Sequence, residues 1–194
     1  TLLASLFLIN AFNYFDGIDG SLAFSSISVL GILYFLIEDE NFRLFLNILL
    51  IPLCIFLFFN FSLLKLPKLF LGDGGSLLLG FIISFILVYS ANQKLAHPIL
   101  LAWSVVIFVY EFLSVNIYRI KNKKNIFTAG KDHLHHILIK KNNSIILTDT
   151  IIFFINIILF SIGYFAYILF SPLFSLILFI TMFVIFLIIR SVFK

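Results

Sequence analysis

The chain has 194 residues, of which 62% are hydrophobic, with a mean hydropathy of +1.19 and a formal net charge of +4. Apolar runs far longer than a soluble core requires recur along the whole length, which excludes a soluble globular domain and defines an all-α, polytopic integral membrane protein. The one cysteine, Cys54, lies in an apolar run, so intrachain disulfides and cysteine-based metal sites drop out.

In chain order, the first apolar stretch, "TLLASLFLINAF", is too short to cross a bilayer core of ~30 Å and reads as the end of a span. No signal-peptide pattern or lipidation motif follows. We expect a C-terminal part of a longer protein, lacking N-terminal helices. Complete spans are predicted over 21–37, 44–64, 76–91, 98–118, 148–169 and 172–190: six helices plus the end of a seventh, in one transmembrane catalytic domain over 1–194. Pro52 is expected to kink its span, while Pro98 and Pro172 mark helix starts.

Alternating the loops puts 13–20, 65–75, 119–147 and the tail on one side, and 38–43, 92–97 and 170–171 on the other. The first side holds Lys65, Lys68, Arg119, Lys121, Lys123, Lys124, Lys131, Lys140, Lys141, Arg190 and Lys194; the second holds only Arg43 and Lys94. By the positive-inside rule the first side is cytoplasmic. Every unusual polar cluster falls on that side, so an active site at the cytoplasmic interface is expected. The "EDENF" and "NQKLAHP" loops opposite, His97 included, read as ordinary turns.

In "NAFNYFDGIDGS", Asn10, Asn13, Asp16 and Asp19 recur at every third position, one curving band on a helical backbone. Asn13, Asp16 and Asp19 supply the hard oxygens that Mg²⁺ takes alongside phosphates and water. A solvated helix terminus explains one Asp more naturally than the whole band. In "LFLGDGGS", the glycines permit close backbone approach, Asp73 stands at the bend and Ser76 is placed to cap the next helix. That loop reads either as a phosphate and cation site at a helix N-terminus or as a capped glycine turn. In "RIKNKKNIFTAGKDHLHHILIKK", seven basic residues surround His133, His135 and His136. They suit a polyanionic substrate or anionic lipid heads, whereas the cationic setting opposes zinc. Glu111 lies about 12 Å deep in its predicted helix; it is either a functional acid or one half of a buried ion pair.

Together and in this order, the motifs resemble those of the polyprenyl-phosphate N-acetylhexosamine-1-phosphate transferases, glycosyltransferase family 4, which includes the WecA and MraY enzymes. "NAFNYFDGIDG" resembles the family's NxxNxxDGxDG loop, "FLGDGGSLLLG" its F-x-GDxGS-xx-LG segment, "KDHLHHIL" its His loop and "YEFLSV" a helix segment in part of it. The family's earlier acidic DDxx[DN] motif has no match in this sequence. The resemblance implies transfer of a sugar 1-phosphate, GlcNAc-1-phosphate or another HexNAc-1-phosphate, from a UDP-sugar to undecaprenyl phosphate. UMP would leave, in the first membrane step of cell-envelope polysaccharide synthesis such as O-antigen. It implies Mg²⁺, with Mn²⁺ as substitute, held by Asp73 and Asn13. Asp16, Asp19, His133, His135 and His136 fall at catalytic positions, and Phe70, Asp19, Ser76 and Lys131 at substrate positions, Phe70 stacking on uracil. It also implies a bacterial inner-membrane location and is compatible with a homodimer; no nucleic-acid partner is expected. The competing readings are an ion-coupled transporter and an inactive fragment of the family.

Overall fold

The computed structural model describes residues 1–62, 65–125, 130 and 133–192, and no strand occurs among them. The helices are α1 (Leu2–Asn13), α2 (Ser21–Leu36), α3 (Glu40–Asn60), α4 (Gly72–Asn92), α5 (Pro98–Ser104), α6 (Val106–Lys121), α7 (Leu134–Asn142), α8 (Ile145–Leu169) and α9 (Pro172–Val192). α3, α4, α8 and α9 are each long and apolar enough to cross a membrane, and α5 with α6 adds a fifth span when counted as one bent unit. The sixth expected span, α2, has 16 residues. It reaches about 24 Å, short of the ~30 Å hydrocarbon core. Of the residues singled out above, Lys131 and Lys194 lie outside the described ones.

The single helix expected over 98–118 is broken: the axes of α5 and α6 diverge by 71°. Neither proline nor glycine lies in the "LLAWSVVIFVY" segment around the break, so the cause is not local. Asn156 of α8 reaches the break instead. Its Oδ1 accepts from the Ile107 N–H at 3.3 Å, and its Nδ2 donates to the Ser104 carbonyl at 3.1 Å and to Ser28 Oγ at 2.9 Å. Irregular backbone at membrane depth survives where protein groups supply its partners, and this buried amide supplies them. Other boundaries differ from expectation, α3 among them, which runs from Glu40 to Asn60 rather than over 44–64. α4 starts at Gly72, whose φ of +67° favours glycine, so Ser76 sits inside the helix rather than capping it. The segment expected as one loop over 119–147 contains α7, whose nine residues are too polar to register as a span. α3 runs through Pro52 without ending.

α1 packs antiparallel on α4, closely enough that a Cβ at Gly80 would lie 2.9 Å from the Ile9 Cα. Phe12 of α1 also stacks on Phe108 of α6 with ring centroids 3.8 Å apart. α2 and α8 run parallel in a register marked by Gly20 against Asp149, Phe24 against Phe153 and Ser28 against Asn156. Trp103 of α5 fills the space left by Gly163, and its Nε1 donates to Ser175 Oγ at 3.0 Å, which in turn donates to the Gly163 carbonyl at 2.9 Å. These contacts bring the 14–20 loop, the start of α4 and the start of α7 to one end of the bundle.

Candidate active site

Three segments far apart in sequence meet at that end. The first is the loop leaving α1. Asn13 Oδ1 accepts from Ser76 Oγ at 2.5 Å, and the Asp73 carbonyl, 3.0 Å from the same hydroxyl, is the competing acceptor for its one proton. Asp16 lies within electrostatic reach of Asp73; burial first, and the Asp73 charge second, raise its carboxyl above the usual carboxylate range. Gly17 presses on the His loop so tightly that a Cβ there would sit 2.3 Å from His135 Nε2. Tyr14 meets the His133 ring edge-on, with centroids 5.0 Å apart.

The second segment runs into α4. Lys68 Nζ bonds Asp19 Oδ2 at 2.5 Å and lies over the Phe70 ring, 5.1 Å from its centroid. Phe70 itself is 70% exposed. A cavity of about 330 Å³ opens here, and Asp16, Asp19, Asn60, Phe70, Gly72 and Asp73 are among the residues lining it. Asn60 turns its Nδ2 away, donating to the Leu69 carbonyl at 2.7 Å, and thereby fixes the chain leading to Phe70.

The third segment is the His loop. His133 stands at the N-cap position of α7 without a side-chain bond to the helix, and His135 is buried with neither ring nitrogen hydrogen-bonded among the described residues. Burial above all, then the neighbouring charges of His136 and His133, push the His135 imidazole down to about 3, so it is neutral at physiological pH. The three imidazoles cluster, with His135 and His136 centroids 4.4 Å apart. Glu111 anchors the loop from below: its Oε1 accepts from the Leu134 N–H at 2.9 Å and faces His133 Nδ1 at 3.6 Å, while its Oε2 pairs with Arg190 of α9. The Arg190 Nη1 also donates to Ser114 Oγ at 2.7 Å. Of the two readings of Glu111, the ion pair is therefore present, and it doubles as an anchor for the His loop.

Among the described residues, no three His, Cys, Asp or Glu side chains converge as a ready-made metal site, the His cluster included. Asp16, Asp73 and Asp19 instead give an open set of hard oxygens with Lys68 at its edge. That is the chemistry of a cation completed by substrate phosphates and water, not of a closed protein cage. Ser76 is fully buried and reaches the site through Asn13. Sequence reasoning missed Asp149, Asn156 and Asn60; the signal available for the first two was a polar residue inside an apolar run.

Helical spans and a carboxylate-lined cavity, with His135 packed against its Gly17 wall, define a polytopic membrane protein with a polar site at one end of its bundle. The model of glycosyl transferase family 4 matches residues 1–91, and with a relative 31% identical over 72% of the chain this shows that the chain belongs to that family. Similar proteins include the undecaprenyl-phosphate alpha-N-acetylglucosaminyl 1-phosphate transferases of Yersinia pestis and of Escherichia coli K12. They are 31% and 27% identical over 147 residues, 72% of this chain and 40% of each relative. That of Haemophilus influenzae is 26% identical over 125 residues, 62% of this chain and 35% of the relative. The chain thus spans about 40% of the length of the curated relatives it matches. No solved structure gives a significant match.

Proposed function

We propose that the protein transfers a sugar 1-phosphate, GlcNAc-1-phosphate or that of another N-acetylhexosamine, from a UDP-sugar to undecaprenyl phosphate. A phosphate oxygen of the lipid bonds to the sugar-bearing β-phosphorus, the β-phosphorus–oxygen bond towards the α-phosphorus breaks, and UMP departs with that oxygen. The carrying observation is the meeting of the three motif segments: Asn13 on Ser76, Asp16 beside Asp73 and Gly17 on His135. Phosphoryl transfer is mostly positioning and charge neutralisation, and each segment contributes one part. Asp73 and Asp16, with Asn13 behind them, are the residues to hold Mg²⁺, which when bound offsets the charge of the transferring phosphates. The exposed face of Phe70 is the stacking surface for uracil, and Asp19 with Lys68 flanks it. The His loop is the part of the site that meets the donor's phosphates, and the family resemblance gives Lys131 a substrate role. The eleven-to-two division of basic residues supports a cytoplasmic orientation of this end, and the family resemblance supports a bacterial inner membrane as its location.

The experiment compares Asp73→Asn with Phe70→Ala in the full-length protein, after insertion and folding are verified. Asp73→Asn should cut kcat by orders of magnitude and change the Mg²⁺ dependence. Phe70→Ala should raise donor KM by the ~1–3 kcal/mol of a lost base stack and leave the Mg²⁺ dependence alone. Near-normal kcat with an unchanged Mg²⁺ requirement in Asp73→Asn refutes the metal role. A cysteine at Gly74, where the side chain meets open space, should react only with reagents applied from the cytoplasmic side.

A further inference from the structure

The α2–α8 seam has two unlike ends. Ser21, Ser25 and Ser28 share one face of α2 at i, i+4 and i+7, and Ser28 fixes that face towards α8 through Asn156. Asp149, Ile152 and Asn156 form the matching face of α8 at i, i+3 and i+7. At the deep end, every polar atom of Asn156 is bonded. At the end nearest the active site, Ser21 Oγ, Ser25 Oγ, Thr148 Oγ1 and both carboxylate oxygens of Asp149 have no hydrogen-bond partner among the described residues, although all four residues are at most 1% exposed.

Asp149 is aimed at the first turn of α2: its Oδ2 lies 2.8 Å from where a Cβ of Gly20 would stand, and Gly20 holds a φ of +79°. Gly20 also lines the active-site cavity, so Asp149 sits directly behind the cavity wall. Its charged neighbour is Asp19, which repels it, and Lys68 bonds Asp19 rather than Asp149. A carboxyl in this position needs either a counter-charge or a proton, because desolvating the bare carboxylate costs several kcal/mol. Ser21 and Ser25 on α2 and Thr148 next to it on α8 offer hydroxyl oxygens, hard and neutral, along the same seam, while the Phe61 ring packs beside Asp149 at Gly20. One carboxylate among hydroxyls suits a single positive charge stripped of its water, whereas Mg²⁺ keeps several waters and seeks more negative charge.

We propose that Asp149, Ser21, Ser25 and Thr148 bind a desolvated alkali cation of sodium type, which bridges α2 to α8 and braces the Gly20 turn behind the active-site cavity. This site is separate from the Asp73 cation position and does not depend on the transferase reading.

The test is thermal unfolding of the detergent-solubilised protein in sodium, potassium or N-methylglucamine chloride at one ionic strength and one pH. The unfolding temperature should rise saturably with sodium or potassium over the organic cation, and the ion with the lower midpoint reports the size of the site. Asp149→Asn should abolish the dependence. Ser25→Ala, which keeps the charge and removes one oxygen, should move the midpoint to several-fold higher salt; it decides the matter if Asp149→Asn does not fold. Equal unfolding temperatures in the three salts overturn the proposal, as does an alkali-ion effect that survives in Asp149→Asn. The salt series is repeated at a second pH, and a stability that follows pH but not the cation overturns it too, by assigning a proton to Asp149.

Discussion

Glu111 offers a quantitative test of how the bundle holds its active-site loop. Its carboxylate is fully buried, pairs with Arg190 from α9, whose side chain is 5% exposed, and accepts the Leu134 amide at the start of α7. Removing one partner of a buried pair costs about 3–5 kcal/mol, whereas replacing both by apolar groups of similar volume is often near neutral. Glu111→Leu should therefore destabilise by about 3–5 kcal/mol. In an Arg190→Met background the same change should cost only about 1–2 kcal/mol, the worth of the Leu134 bond and its desolvation. The coupling in the double-mutant cycle is then on the order of 2–3 kcal/mol. Equilibrium unfolding in mixed detergent and denaturing surfactant reads all four corners. Hydrogen exchange at the Leu134 amide should accelerate in both Glu111 variants but not in Arg190→Met alone. Coupling below about 0.5 kcal/mol, the usual error of additivity, would refute the paired arrangement.

Asn156→Leu removes three side-chain hydrogen bonds at the α5–α6 break. At the ~0.6 kcal/mol average for such bonds in membranes, a loss of about 2 kcal/mol is expected; stability within error of wild type on surfactant unfolding would show that the amide does not hold the bend. The lowered pKa of His135, to about 3, has a sign that can be tested against the ordinary histidine value of about 6.5. The unfolded state binds the extra proton, so this residue's stabilisation is fully present above about pH 6.5 and falls as pH drops from there towards 3. The slope is at most about 1.4 kcal/mol per pH unit. His135→Asn should flatten the stability profile across that window, and an unchanged profile would place the acid sensitivity elsewhere.

The site was legible in the sequence because its chemistry is written in local motifs. "NAFNYFDGIDGS", "LFLGDGGS" and "KDHLHHIL" each stand out from an apolar background, and hydropathy alternation alone puts all three on one side. What the sequence hides is the set of groups that act across helices. Nothing in "LLAWSVVIFVY" announces a break, because the residue that holds it is Asn156, on another span. Glu111 could be read either way until Arg190 appeared beside it, 79 positions along the chain. Asp149 passed as part of an apolar run, since burial and lost partners are properties of packing and not of spacing. α2 reads as a full span over 21–37, and its ends fall within one residue of that range; what the reading misjudges is that so short a helix falls below the length of the hydrocarbon core.

A bend held by a residue on a different helix is inherited differently from one made by proline. The apolar residues at the α5–α6 break carry none of the constraint that bends it, while position 156, in a span that looks ordinary by itself, does. Descendants that lose the amide there must straighten the span or acquire a local breaker in it. The pair of changes should therefore travel together through the lineage, and position 156 rather than the bent segment should record the history of this geometry.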